Sequence, residues 1–412
     1  MPPLDVFEEH GEIAALWGTR LYDGRTVVCF DRHLDLKPLV PGGEELLMAA
    51  LADERDLAGV VRKQPIRGVA GAFGLDDFWT AASLAGQVKR LVWVPSWSSR
   101  PGWHASALSA VSLIATSGES PEAVARECCL RVHLCGIELH VVPWNLLGVH
   151  AREHIVADVA VDIDLDWLVD EHGQVEHPPS RLAALVTMLG GEVTSMTWST
   201  RSGFLPKEFR NVSVCVAREL GHSTTLSSYL PETPWPEGLL LDVHRGAPAD
   251  PWLRSEAELC TSAPGVAQAL LGLLVVRTDP VAGKRYYDEA VSCGYTSSWL
   301  AYKLGISRYA EGAMSEARSW LCRAIVTDPR DTLAMHARVL LGRSRIEHQE
   351  PGLALAEFRA LAADLPLRQG VWSTVDLLAR QVGDEGSREE ARAALASIDR
   401  LLRCDVAEEL ST

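Results

Sequence analysis

The stretch that most narrows the fold is Thr26 to Asp35, TVVCFDRHLD. Its first five residues are almost all apolar, β-branched or aromatic, and Asp23-Gly24 ahead of them is a turn signal. Such a run reads as a strand buried on both faces, of the kind found inside a parallel sheet. Directly after it come Asp31, His33 and Asp35, at i, i+2 and i+4. Ligands of α/β sheets bind at the carboxyl ends of strands. Three side chains able to hold a metal therefore emerge where a site is expected. The competing reading is an acidic surface loop, and the rest of the chain decides between them.

Strand and helix signals alternate from residue 4 to about 245. Leu4 to Phe7 reads as a short strand, and Ile13, Leu16 and Trp17 then recur at helical spacing, which puts His10 at a strand-to-helix junction. Glu44 to Leu57 and Thr80 to Gly86 read as helices, and Leu91 to Pro95 reads as a second buried strand stopped by its proline. Ser120, as N-cap before Pro121, predicts a helix to Cys128. Ile137 to Pro143 is a strand candidate. Ile155 to Leu168 is another, and it ends in Asp162, Asp164 and Asp166. Pro178 opens a helix to Leu189, and Asn211 to Ala217 reads as a last strand ending at Arg218-Glu219. This order predicts an α/β fold with a mainly parallel sheet between two helical layers.

After Pro251 only helical patterns remain, and they repeat. Ala317, Leu321, Ala324 and Pro329 stand at offsets matched by Ala354, Phe358, Leu361 and Pro366, and Gly283, Tyr287 and Ala290 match the first three. The anchors Gly283, Ala317 and Ala354 lie 34 and 37 residues apart. Leu304-Gly305 and Leu341-Gly342 precede the two fuller copies. The pattern resembles the tetratricopeptide repeat, in which stacked helix pairs interlock small and large residues. Ser387 to Leu402 reads as a helix closing the array. The expected organisation is thus an α/β domain over residues 1–250 and an all-α repeat domain over 251–412.

Composition narrows the function. The formal charge is −16, with no long basic block, which argues against a nucleic-acid partner. The longest apolar run, Ala269 to Val276, is far too short to span a bilayer. The start of the chain shows no basic stretch leading into an apolar one. The nine cysteines include no C-x-x-C pair, so reduced thiols in a cytoplasm are the expectation.

His10, Asp31, His33, Asp35, Asp162 and Asp164 come from three strand ends that one sheet edge can gather. Hard carboxylate ligands with a minority of imidazole suit Mn²⁺ better than zinc. Six donors exceed what one catalytic ion uses, so the set implies two ions. A histidine at a helix start, then D-x-H-x-D, then D-x-D resembles the arginase/deacetylase superfamily of ureohydrolases. Glu8-Glu9-His10 and Trp93-Val94-Pro95 are similar to its peptide-arginase branch, whose bacterial members convert arginine side chains of ribosomally made precursor peptides to ornithine. The resemblance covers about residues 4–220 in motif order, carried by some twenty residues.

That resemblance implies an arginase-like three-layer domain holding two Mn²⁺ per chain. One ion would take His10, Asp31, Asp35 and Asp162. The other would take His33, Asp31, Asp162 and Asp164. Asp164 and Asp166 satisfy D-x-D equally well, so the register stays open by one step. Asp35 would also orient the attacking water. His104, His140 and His150 are candidates for the proton shuttle, with His104 preferred. Glu219 and Asp166 are candidates for the guanidinium partner, with Glu219 preferred. The sequence departs from ordinary arginases where Glu8-Glu9 replace a glycine pair and where Ala160-Val161 replace serines. The implied activity is hydrolysis of peptide arginine to ornithine and urea, with the repeats receiving an arginine-containing precursor peptide or mediating self-association. A zinc deacylase, an agmatinase-like enzyme and a non-catalytic repeat adaptor are the competing readings.

Overall fold

The computed structural model describes residues 3–226 apart from 20, 23–24, 41, 54–56, 63–70, 100–101, 113–123, 156–157, 170–175, 202–203 and 211, and residues 264–409 apart from 330–331. It divides into two compact units, one built on the sheet and the other on the helices from Pro264 onward together with residues 40–45, 62 and 71–72.

Among the described residues the sheet has nine strands: β1 (Pro3–Phe7), β2 (Thr26–Phe30), β3 (Arg90–Val94), β4 (Val124–Ala125), β5 (Leu130–Leu134), β6 (Ile137–Val141), β7 (Val159–Asp164), β8 (Glu192–Thr197) and β9 (Ser223–Leu226). Their spatial order is β4-β5-β6-β3-β2-β7-β8-β1-β9. Every pairing from β6 to β9 is parallel, and the β4-β5 and β5-β6 pairings are antiparallel. β2, β3 and β7 form the centre. Val27 to Phe30, Leu91 to Val94 and Val159 to Asp164 are buried without a break. That double-sided burial is why these strands read as continuous apolar runs rather than alternating ones.

The helices between these strands are α1 (Gly43–Ala52), α2 (Phe78–Leu84), α3 (Trp103–Ser112), α4 (Leu147–His154), α5 (Pro179–Leu189) and α6 (Val212–Glu219). The chain moves one way along the sheet from β6 through α4 to β7 and through α5 to β8. It moves the other way from β2 through α1 and α2 to β3. Right-handed crossovers send these two sets to opposite faces.

Two expectations fail locally. Residues 212–219 form α6 rather than a strand. Val212, Cys215 and Val216 are all buried, and they stand at i, i+3 and i+4. The same letters satisfy both periods, and packing against α5 and β9 selects the helix. The helix predicted over 120–128 is also absent where it can be seen: Val124–Ala125 is an edge strand paired with β5, while 120–123 lie outside the described residues. The sequence reading also passed over β5 and β8. β5 turns into β6 through Cys135 (φ 51°) and Gly136 (φ 74°), a left-handed pair that suits a two-residue hairpin.

The second unit is a tandem of helix pairs: α7 (Pro264–Val275) with α8 (Pro280–Ser292), α9 (Ser298–Ala310) with α10 (Met314–Thr327), α11 (Thr332–Glu347) with α12 (Pro351–Asp364), and α13 (Gln369–Val382) with α14 (Glu385–Glu409). The repeat anchors are its core. Ala317, Leu321, Ala324, Ala354, Phe358 and Leu361 are all buried. A Cβ added at Gly305 would stand 3.0 Å from the Leu321 side chain, and one at Gly342 would stand 2.7 Å from the Phe358 ring. The Leu-Gly pairs therefore mark where facing helices come closest. Ala391 and Ile398 on α14 are buried at the same offsets, so the final helix completes a fourth pair. No described helix is long and apolar enough to cross a membrane.

Candidate metal centre

His10 leaves β1 as the first residue of a 3-10 turn, His10–Thr19, and its ring stacks on Phe78 at 5.5 Å. Asp31, His33 and Asp35 follow β2, Asp164 ends β7, and Asp166 lies in the next 3-10 turn, Leu165–Trp167. Parallel pairing of β2 with β7 sets Cys29 beside Asp162 and Phe30 beside Ile163, so both acidic tips leave the sheet at one edge.

The donors form two overlapping groups. In the first, His10 Nδ1 lies 2.9 Å from Asp35 Oδ2, 3.5 Å from Asp164 Oδ2 and 3.7 Å from Asp31 Oδ2. In the second, His33 Nδ1 lies 2.7 Å from Asp166 Oδ2, and Asp31 is again the third member. Within each group every residue offers one ligand atom within 4.8 Å of the others. Asp31 is shared, and its Oδ2 is buried without a hydrogen-bond partner.

Supporting contacts fix the donors. The His33 amide donates to Asp31 Oδ1 at 2.8 Å, and the Trp93 indole donates to the Asp31 carbonyl at 2.9 Å. Ser199 donates its hydroxyl to Asp164 Oδ2. The Arg32 amide donates to Asp166 at 3.2 Å. Phe204 stacks on His33 with ring centres 3.9 Å apart.

Asp162 sits on the other side of His10. Its Oδ2 lies 2.8 Å from His10 Nε2, in a separate group with Cys29. Ser195 donates to its other oxygen, and the Tyr22 hydroxyl lies 3.1 Å from that serine. Of the two registers that the sequence leaves open, this geometry fits Asp164 with Asp166. The strand-end pair facing Asp31 and His33 is Asp164 with Asp166, and Asp162 grips the far nitrogen of His10. The physical reason is where the strand stops: Asp162 is still within β7, flanked by β2 and β8.

Electrostatics strain the assembly. Burial pushes the Asp31 and Asp35 carboxyls up, with neighbouring carboxylates adding to the effect at Asp31 and His10 opposing it at Asp35. Burial and the charge of Asp166 push Asp164 up to about 8. Burial opposes charge on both histidines, yet Asp162 and Asp35 raise His10, and Asp166 raises His33. Burial also opposes charge on Asp166, but His33 and Arg32 hold it below the usual carboxylate range. His10, His33 and Arg32 balance only part of the charge that these buried carboxyls would carry when ionised, which is why Asp31, Asp35 and Asp164 are pushed up while Asp166 is held down. Two divalent cations would neutralise Asp31, Asp35, Asp164 and Asp166, so the donor set fits a metal pair.

Other candidates lie elsewhere. His104 is on α3, stacked on Trp103, with Nε2 3.2 Å from the Arg126 carbonyl. Glu219 is exposed at the end of α6, because the predicted strand is a helix. His140 and His150 face each other, with His140 Nδ1 3.2 Å from His150 Nε2. Ser195, Ser199 and Phe204 were missed, because they belong to or follow β8, a strand the sequence did not reveal.

No known family matches the chain, and no curated protein matches it. Solved structures do, in the helical repeat region. A MamA crystal structure is similar at 16% identity and a TM-score of 0.30, over 43% of this chain and 99% of that one. YrrB, described as a TPR protein with an unusual peptide-binding site, is similar at 18% identity and a TM-score of 0.28, over 41% and 87%. MamA of AMB-1 is similar at 16% identity and a TM-score of 0.27, over 36% and 81%.

Proposed function

We propose that the sheet unit is a metal-dependent hydrolase acting on the guanidino group of arginine within a peptide, releasing urea and leaving ornithine. The observation that carries the reading is the pair of donor groups sharing buried Asp31. His10, Asp31, Asp35 and Asp164 would hold one divalent cation, and Asp31, His33 and Asp166 the other, with hard oxygen donors favouring Mn²⁺. When bound, such a pair acidifies a water and polarises the group under attack.

The chain's own residues do the positioning. Asp162 accepts a hydrogen bond from His10 Nε2, so that Nδ1, on giving up its proton, would offer its lone pair to a cation held with Asp31, Asp35 and Asp164. Ser199 holds Asp164, and Trp93 tethers the Asp31 backbone. Asp35 would orient the attacking water by accepting its hydrogen bond. His33 has 36% of its side chain exposed while the side chains of His10, Asp31, Asp35, Asp164 and Asp166 are almost fully buried, so substrate approaches from the His33 side. The acidic setting favours a cationic substrate, and the helix pairs offer an extended surface for its peptide.

The test is incubation of the full chain with Mn²⁺ and arginine-containing peptides, read by urea release and peptide mass. Each converted arginine loses the elements of cyanamide. Unchanged peptides with free arginine or agmatine consumed instead would move the reading to a small-molecule ureohydrolase. One Zn²⁺ per carboxylate centre would move it to a deacylase.

A further inference from the structure

A second set of side chains able to hold a metal meets on the α4 side of the sheet. Cys128 and Cys129 stand just before β5, His140 is in β6, and His150, Glu153 and His154 are on α4. Ligand atoms of Cys128, Cys129 and His150 all lie within 4.8 Å of one another. So do those of Cys128, Glu153 and His154. Cys128 belongs to both groups, and Cys128, Cys129 and His150 are all buried. The place is remote from the carboxylate centre. His140 pairs with Val92 and Val92 pairs with Val28, which puts it two strands away and mid-sheet, three residues short of the level of Asp31.

The hydrogen bonds here fix the tautomers. His140 Nε2 lies 2.9 Å from Glu138 Oε1, and a carboxylate only accepts. Nε2 therefore carries the proton, and His140 Nδ1 is an acceptor. His150 Nε2, 3.2 Å from that Nδ1, must then donate. The remaining nitrogen, His150 Nδ1, keeps its lone pair and points it at Cys128 Sγ, 3.8 Å away. Burial, with the neighbouring His140 and His154, keeps His150 neutral by lowering its pKa to about 3. A carboxylate that orients a histidine from behind and aims its free nitrogen at other donors is the arrangement that supports metal-bound imidazole. Here the carboxylate acts through one intervening ring.

We propose that Cys128, Cys129 and His150, with Glu153 or His154 completing four ligands, form a structural zinc site that ties the segment before β5 to α4. Thiolate and imidazole donors select zinc, in contrast to the oxygen-rich set around Asp31. Zinc bonds of about 2.0–2.3 Å bring four tetrahedral donors within roughly 4 Å of each other, so small rotamer shifts close the site. Binding displaces the two thiol protons to solvent. Four protein ligands leave no position for water, which makes the role architectural.

The test uses the full chain, reduced and stripped with chelator, then titrated with Co²⁺ as a coloured substitute for Zn²⁺. The titration should give thiolate-to-cobalt charge-transfer absorption and the visible bands of a tetrahedral ion, saturating at one thiolate-bound ion per chain and abolished by Zn²⁺. Asp31→Asn should keep these bands, which separates this site from the carboxylate centre. Cys128→Ser with Cys129→Ser should lose the thiolate band. A second measurement needs no variant: Zn²⁺ should suppress alkylation of Cys128 and Cys129 while leaving exposed Cys293 unchanged. Absence of a thiolate band in the wild type, its persistence in the double-serine protein, or alkylation indifferent to Zn²⁺ would overturn the proposal.

Discussion

Single residues divide the centre into donors and supports, and variants separate the two. Asp31 belongs to both donor groups, so Asp31→Asn should abolish Mn²⁺ binding measured by calorimetry. Asp162 acts through His10, so Asp162→Asn should weaken binding by about 10–100-fold without changing stoichiometry. Equal losses in the two variants would return Asp162 to the ligand set. The metal-free protein should also show a pH signature. Asp164, raised to about 8, keeps its proton in the folded state after the unfolded chain has lost it. Its contribution to stability is full at low pH and disappears as pH rises toward 8. His10 and His33, also raised, act with the same sign. His150, lowered to about 3, acts oppositely, but only below the unfolded histidine value of about 6.5. Thermal melts without metal should therefore show falling stability from about pH 6.5 to 8, and Mn²⁺ should remove that fall. A metal-free melting temperature that climbs across this window would contradict the assignment.

Elements show where a one-dimensional pattern suffices and where it does not. The repeats were legible because their spacing is local: Leu321 and Phe358 are the large partners of Gly305 and Gly342. The crowding at Gly342 makes a specific prediction. Gly342→Ala gains helix propensity but drives a methyl into the Phe358 ring, and overpacking of this kind costs about 1–3 kcal/mol. Denaturant unfolding should show a net loss, and a stabilised Gly342→Ala protein would refute the close packing. α6 shows the opposite case. Its valines suit either period, and only its neighbours in space choose.

At the level of the whole molecule, each unit carries its own core, and the proposed chemistry sits in one of them. Hydrogen exchange followed by mass spectrometry should report this. Mn²⁺ at about a hundred times its Kd adds roughly 2.7 kcal/mol to a site that binds only the native state. Protection should rise in peptides spanning 26–35 and 159–166 and stay level across 298–364. Uniform protection throughout the chain would mean that the metal acts elsewhere or non-specifically.

The sequence by itself determined the buried strand ending in Asp31, His33 and Asp35, the junction at His10, and the register of the helical repeats. Each of these follows from periodicity or from chain order, which need no partner in space. Tertiary structure alone decided that Asp164 and Asp166 face Asp31, because strand length fixes which of three alternating acids leaves the sheet. It alone turned Asp162 behind His10, carried Glu219 to an exposed helix end, and brought His150 to Cys128 across 22 residues. Such pairings depend on which strands lie side by side, and no local spacing encodes that.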